Sequence, residues 1–147
     1  MSLFKIFKDV EVRFADIDVL GHVNNAVYLS YMEEARLEYM NHVFPGYLAQ
    51  QSFQDFPFIV GDAYCRFLKP AVLGQTLRLH VGVTEMGTKS LKMSCDITDK
   101  ASGELVAQGY TTIITYNQKS GVSYPIPEEA RQRMRHIEGR EIPAKPK

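Results

Sequence analysis

The 147-residue chain carries 17 basic and 17 acidic residues, so formal charge cancels, and 45% of it is apolar. A balance of that kind gives no bulk electrostatic attraction for nucleic acid or an anionic membrane, which leaves any anion site to local geometry. The length suits one domain that buries a core without metals or disulfides, read here as residues 1–140 followed by a flexible tail at 141–147. No apolar run approaches the ~20 residues that span a bilayer. The start "MSLFKIFKDVEVRF" has no small-residue cleavage site after an apolar block, so a cytoplasmic location is expected, with neither membrane nor nucleic acid among the partners.

"FKIFKDVEVRF" mixes alternation with β-branched and aromatic residues and reads as a first strand over residues 4–15. An acidic loop follows. Asn24 and Asn25 are natural N-caps for the next segment, because their side-chain oxygens accept from the unpaired amides of a first helical turn. Val27, Tyr28, Met32, Ala35, Tyr39 and Val43 then recur at helical spacing, with Glu33, Glu34, Arg36 and Glu38 largely around that stripe. Glu33 and Arg36 have the spacing of an intrahelical ion pair. "FPG" at 44–46 stops the helix.

The second half reads as β. Strands are predicted over 56–70, 76–84, 91–98 and 104–116, joined by short glycine-bearing turns. Strands so joined are antiparallel neighbours, since a parallel return needs a crossover of about a dozen residues. Leu77, Leu79, Val81 and Val83 share one face, as do Leu91, Met93, Cys95 and Ile97. Cys65 and Cys95 lie inside apolar runs and read as free thiols. Asp62 interrupts an otherwise apolar strand, and Arg66 is one possible partner. The alternate faces hold Tyr64, Tyr110, Ile114 and Tyr116, too apolar for bulk water, so a homo-oligomer is expected, homodimer or homotetramer. A short second helix should start after Pro127, with "REIPAKPK" as a frayed end. The class is α+β, five antiparallel strands with one long helix on a face.

The chemistry concentrates in "FADIDVLGHVNNAVY". Carboxylates before a helix are stabilised by the macrodipole with no catalytic purpose. Here, however, the asparagines already suffice as caps, Gly21 lets backbone amides approach a ligand, and His22 adds a second titratable group. Free amides at a helix N-terminus can stabilise the oxyanion of an attacked carbonyl, and a carboxylate beside them can deprotonate water or attack the carbonyl itself. A thioester fits best, because a thiolate leaves without a strong general acid. His22, His42, His80 and His136 show no metal-ligand spacing, so neither metal nor cofactor is expected.

The run Asp16-x-Asp18-x-x-Gly21-His22-Val23-Asn24-Asn25-x-x-Tyr28, with Glu33, Ala35-Arg36 and "FLKPAVLGQ", resembles the hotdog-fold acyl-CoA thioesterases of the 4-hydroxybenzoyl-CoA thioesterase family over residues 8–117. The resemblance implies a hotdog fold and hydrolysis of an acyl-CoA thioester to free acid and CoA. Asp18 would be the nucleophile or general base, with an oxyanion site of backbone amides near Asn25. Gly21, Asn24 and Tyr28 would border the substrate, and His22 would assist or order the loop. The substrate tunnel would lie at a dimer interface. Residue 25 departs from the histidine common in the bacterial branch. Lys89 and Ser90 match the family's hairpin for the CoA phosphates, and Lys69 is a second basic candidate. Two alternatives stay open: a non-catalytic module binding acyl-CoA or acyl-carrier protein, and a hotdog hydratase or dehydratase.

Overall fold

In the computed structural model, which describes residues 3–47, 49 and 56–146, the alternating positions of the β-runs define the core. The first two residues of the expected domain and the last of its tail lie outside that set. Leu77, Leu79, Val81 and Val83 of β3 (Thr76–Met86) are all buried. So are Leu91, Met93, Cys95 and Ile97 of β4 (Ser90–Asp99). With β1 (Ile6–Glu11), β2 (Phe58–Phe67) and β5 (Leu105–Asn117) they form one antiparallel sheet in the order β1-β3-β4-β5-β2. The expectation that β2 and β3 are neighbours is corrected: β2 pairs with β5, and residues 68–75 cross the end of the sheet to β3, a span of three strand spacings of ~4.8 Å that a link of this length covers. A two-residue β6 (Val122–Ser123), absent from the sequence reading, pairs with β5. It is too short to carry an alternation pattern.

The apolar stripe forms α1 (Asn25–Val43), which lies against the inner face of the sheet. The sheet wrapped around this helix is the hotdog arrangement. Asn24 is its N-cap, its side-chain oxygen accepting from the Ala26 amide at 2.9 Å. Asn25 is the first helical residue rather than a second cap. Tyr28, Met32, Ala35, Tyr39 and Val43 are buried as the spacing requires, joined by Tyr31 and Met40.

Arg36 is a correction. Expected outside the stripe and paired with Glu33, it is buried, and among the described residues it makes no ion pair with Glu33 and its Nε has no hydrogen-bond partner. Burial pushes its pKa down, and the nearby charge of Glu33 opposes that only in part. Asp62 and Arg66 are both exposed and form no ion pair, so neither needs the other. Cys95 lies in the core and Cys65 is half-buried, both as free thiols.

After Pro127 the chain forms α2 (Glu128–Glu138), ended by Gly139 at φ +69°, a left-handed conformation that favours glycine. Beyond it the Met86 amide donates to the Pro143 carbonyl at 2.9 Å, and Ala144 bridges Met86 in parallel. No described helix is long and apolar enough to cross a membrane.

Candidate active site

Residues 14–16 form one 3-10 turn after Arg13, and residues 17–23 form a miniature hairpin leading into α1. Ile17 bridges Val23, the Asp18 amide donates to the His22 carbonyl at 2.9 Å, and the Gly21 amide donates to the Asp18 carbonyl at 3.0 Å. Gly21 sits at φ +82°, which closes the turn and explains why a glycine is there. The hairpin is tied to the β2–β3 connection through the Val23 amide, which donates to the Ala71 carbonyl at 2.9 Å, and through a bridge from His22 to Val72.

The two aspartates have different surroundings. Asp16 is 3% exposed and its carboxylate is saturated. It accepts from the Arg13 amide at 3.0 Å, from the Arg13 guanidinium at 3.0 Å and from the Tyr31 hydroxyl at 2.9 Å. Burial alone would raise its pKa, but those donors outweigh it and hold the carboxyl below its ordinary value. Asp18 is half-buried. One oxygen accepts from the Leu20 amide at 2.9 Å, and among the described residues nothing donates to the other. A carboxylate anchored by one oxygen and open at the second is oriented without being spent.

At the start of α1, Ala26 donates to the Asn24 side chain and Val27 to the Asn24 carbonyl, while the Asn25 amide has no acceptor among the described residues. That leaves one free N–H at the positive end of a 19-residue helix, two residues beyond the hairpin that carries Asp18. The Asn25 side chain is exposed, as are Gly21, His22 and Asn24. Tyr28 is buried, its ring edge-on to Phe67 at 5.1 Å and to Tyr31 at 5.9 Å between centroids.

The basic candidates are not gathered in one place. Lys69 lies at the same end of the sheet as the hairpin and is ion-paired with Glu104. Lys89 and Ser90 lie at the β3–β4 turn, at the far end of an eleven-residue strand, a separation of roughly 30 Å at ~3.3 Å per residue. There an open groove of about 830 Å³ is bordered by Lys89, Ser90, Arg131, Arg135 and Lys145. Arg131 donates to the carbonyls of Gly87 and Thr88, so α2 supports this turn. Among the described residues no group of three or more His, Cys, Asp or Glu side chains is placed to hold a metal ion.

The residues that sequence reasoning passed over are Arg13 and the hydroxyl of Tyr31. The i,i+3 spacing of Arg13 and Asp16 was a signal for the first. None marked the second, because a tyrosine in an apolar helical stripe reads as core.

A carboxylate with one open oxygen on the turn that feeds α1, and a free amide at the start of that helix, are the kinds of group that acyl transfer employs. The model of the thioesterase-like superfamily matches residues 12–134, and the chain belongs to that superfamily. It is a thioester hydrolase. A thioesterase from Thermus thermophilus, solved in complex with coenzyme A and Zn, is 37% identical, with a TM-score of 0.83 over 97% of this chain and 100% of that one. The long-chain acyl-CoA thioesterase FadM of Escherichia coli is 28% identical over 133 residues, 87% of this chain and 96% of FadM. The uncharacterized protein YsmA of Bacillus subtilis is 25% identical over 133 residues, 90% of this chain and 87% of YsmA.

Proposed function

We propose that the protein hydrolyses acyl-CoA thioesters, with Asp18 as the reacting carboxylate and the Asn25 amide as an oxyanion donor. The observation that carries this reading is the contrast between the saturated Asp16 and the half-open Asp18. FadM acts on long-chain acyl-CoA and the T. thermophilus thioesterase holds coenzyme A, which supports a CoA thioester over other thioesters. In this scheme the thioester carbonyl accepts from Asn25, and the free oxygen of Asp18 either deprotonates a water or attacks the carbonyl. The tetrahedral oxyanion then collapses with loss of the CoA thiolate, giving the free acid directly on the water route, or a mixed anhydride with Asp18 that a water hydrolyses to the acid and the regenerated carboxylate. His22 keeps the hairpin in register through its backbone, its carbonyl accepting from the Asp18 amide.

The reading includes a homodimer built along β2. This strand is an edge of the sheet, with Ile59, Val60, Tyr64 and Phe67 exposed, and a ten-residue apolar edge invites pairing with a second copy. Antiparallel pairing of β2 about its midpoint sets the partner's Phe58 end beside the Phe67 end of the first chain. Phe58 pairs with Thr115, whose amide donates to the Lys89 carbonyl. The partner's β3–β4 turn then approaches the Asp18 hairpin, and a CoA bound there would meet Lys89 and Ser90 from the other subunit.

Release of free thiol from a panel of acyl-CoAs, short, long and aromatic, tests the reading with wild type and Asp18→Asn side by side. Turnover by wild type that falls at least about 10²-fold in the variant is the expected result. Equal turnover in both removes Asp18 from the chemistry.

A further inference from the structure

Asp16 makes contacts that a simple loop aspartate would not need. Its carboxylate accepts from the Arg13 amide and guanidinium, on the strand side of the loop, and from the Tyr31 hydroxyl, 15 residues away on α1. Its own carbonyl accepts from the Asn24 amide at 2.9 Å, so the N-cap of α1 hangs from the same residue. The two ends of the loop and the second turn of the helix therefore meet at one buried residue. Between those ends lie Asp18 and the turn that carries it.

We propose that Asp16 and Tyr31 are positioning residues that clamp the Asp18 hairpin against the N-terminus of α1, so that carboxylate and free helix amide hold one separation during the reaction. The inference rests on Asp18 being the reacting carboxylate. The physical need is plain: attack on a carbonyl held by a helix amide requires both groups in place, and a displacement of about 1 Å can cost 10²-fold in rate. The hairpin is anchored at its base, where Val23 is buried in the core and Ile17 packs against it, and its tip is not: Val19, Leu20 and Gly21 are exposed. Among the described residues its backbone links to the β2–β3 connection run through Val23 and His22. Tyr31 is well suited as the helix-side anchor because its ring is buried edge-on to Tyr28, which leaves the hydroxyl a fixed direction.

The test uses Tyr31→Phe, which removes one donor and keeps the ring, and Asp16→Asn, which puts an NH2 donor where a carboxylate oxygen accepts from Arg13 or Tyr31. With both variants fully folded at the assay temperature, kcat should fall about tenfold in Tyr31→Phe and more in Asp16→Asn, with KM within twofold, since a misplaced carboxylate weakens the transition state rather than binding. The double variant should lose no more than Asp16→Asn alone, because both act through one clamp. Amide exchange in Tyr31→Phe should quicken at Asp18 and Asn24 and stay unchanged in the centre of β3 and β4. A kcat within twofold of wild type overturns the inference. So does a loss that follows the unfolded fraction, or exchange that quickens evenly through the sheet, because either marks a merely structural bond. Should Asp18→Asn turn over like wild type, the functional reading falls by itself. The clamp is then judged on exchange alone, and unchanged protection at Asp18 and Asn24 overturns it.

Discussion

Tyr39, in the middle of α1, donates a 2.6 Å hydrogen bond to Glu138 at the last residue of α2, joining positions 99 apart in sequence. The same carboxylate accepts from the Val83 amide at 3.3 Å, so helix, helix and sheet share one acceptor. Burial first, and the bond to Glu138 second, push the Tyr39 pKa far up, so the hydroxyl stays protonated and donating at any ordinary pH. Tyr39→Phe should cost about 1–2 kcal/mol, a fall in Tm of roughly 2–8 °C for a domain of this size. Thermal unfolding by circular dichroism reads it, while kcat should stay at the wild-type level.

Whether Asp18 acts as base or nucleophile is separable by isotope. In a single turnover in ¹⁸O-water, general-base attack puts the label into the product acid at once. Nucleophilic attack forms a mixed anhydride between Asp18 and the acyl group. Water attacking its Asp18 carbonyl leaves the first acid unlabelled and puts the label on Asp18, where peptide mass spectrometry finds it. Capture of the anhydride by hydroxylamine detects the route when water attacks the acyl carbonyl instead. The free second oxygen of Asp18 is compatible with either route.

The proposed trans arrangement of Lys89 predicts complementation between variants. Lys89→Ala homodimers should show a raised KM, and Asp18→Asn homodimers should be inactive. A mixed dimer then holds one site with both residues intact if Lys89 serves its neighbour, and none if it serves its own chain. Mixing the two proteins after dissociation should restore wild-type KM to about a quarter of all sites, since about half the dimers formed at random are heterodimers and each carries one intact site; that is about half of the sites that keep Asp18. Val60→Lys on the exposed edge of β2 should abolish both the dimer and the rescue, as read by light scattering.

The clamped carboxylate also sets an acid limit. Asp16 has a folded pKa below its ordinary value near 3.8, despite burial, because Arg13 and Tyr31 donate to it. A depressed folded pKa contributes stability that is fully present above the unfolded pKa and is lost as pH falls through the folded one. The groups facing it are Arg13 and Tyr31, with Glu34 acting on Arg13. Wild type should therefore exceed Asp16→Asn in urea midpoint at pH 7, and the gap should narrow steadily below about pH 4. A gap independent of pH would show that the charge of Asp16 contributes nothing.

Local pattern was enough to write most of the fold in advance. Strict alternation in "TLRLHVGVT" and "LKMSCDIT" fixed which residues face the core, because a one-residue slip would turn every side chain to water. Helical spacing from Tyr28 to Val43 located α1, and short glycine turns made β3, β4 and β5 antiparallel neighbours, but the same signal between β2 and β3 joins strands that do not pair, because β2 takes the free edge of β5 instead. The acidic loop, its glycine and its asparagines were visible as a unit for the same reason: they lie within ten consecutive residues. What sequence could not assign was the division of labour between Asp16 and Asp18. That depends on a tyrosine 15 positions from Asp16, brought to it by the packing of α1 on the sheet. Arg36 shows the same limit, since a charged residue at a helical position carries no sign of which neighbour will cover it. Lys69 and Lys89 lie twenty positions apart in the chain yet at opposite ends of the sheet, because strand length, and not sequence distance, sets where a turn falls. Periodicity is a local property of the chain and can be read there. Burial, saturation and proximity belong to pairs of residues, and only the packed structure brings the pairs together.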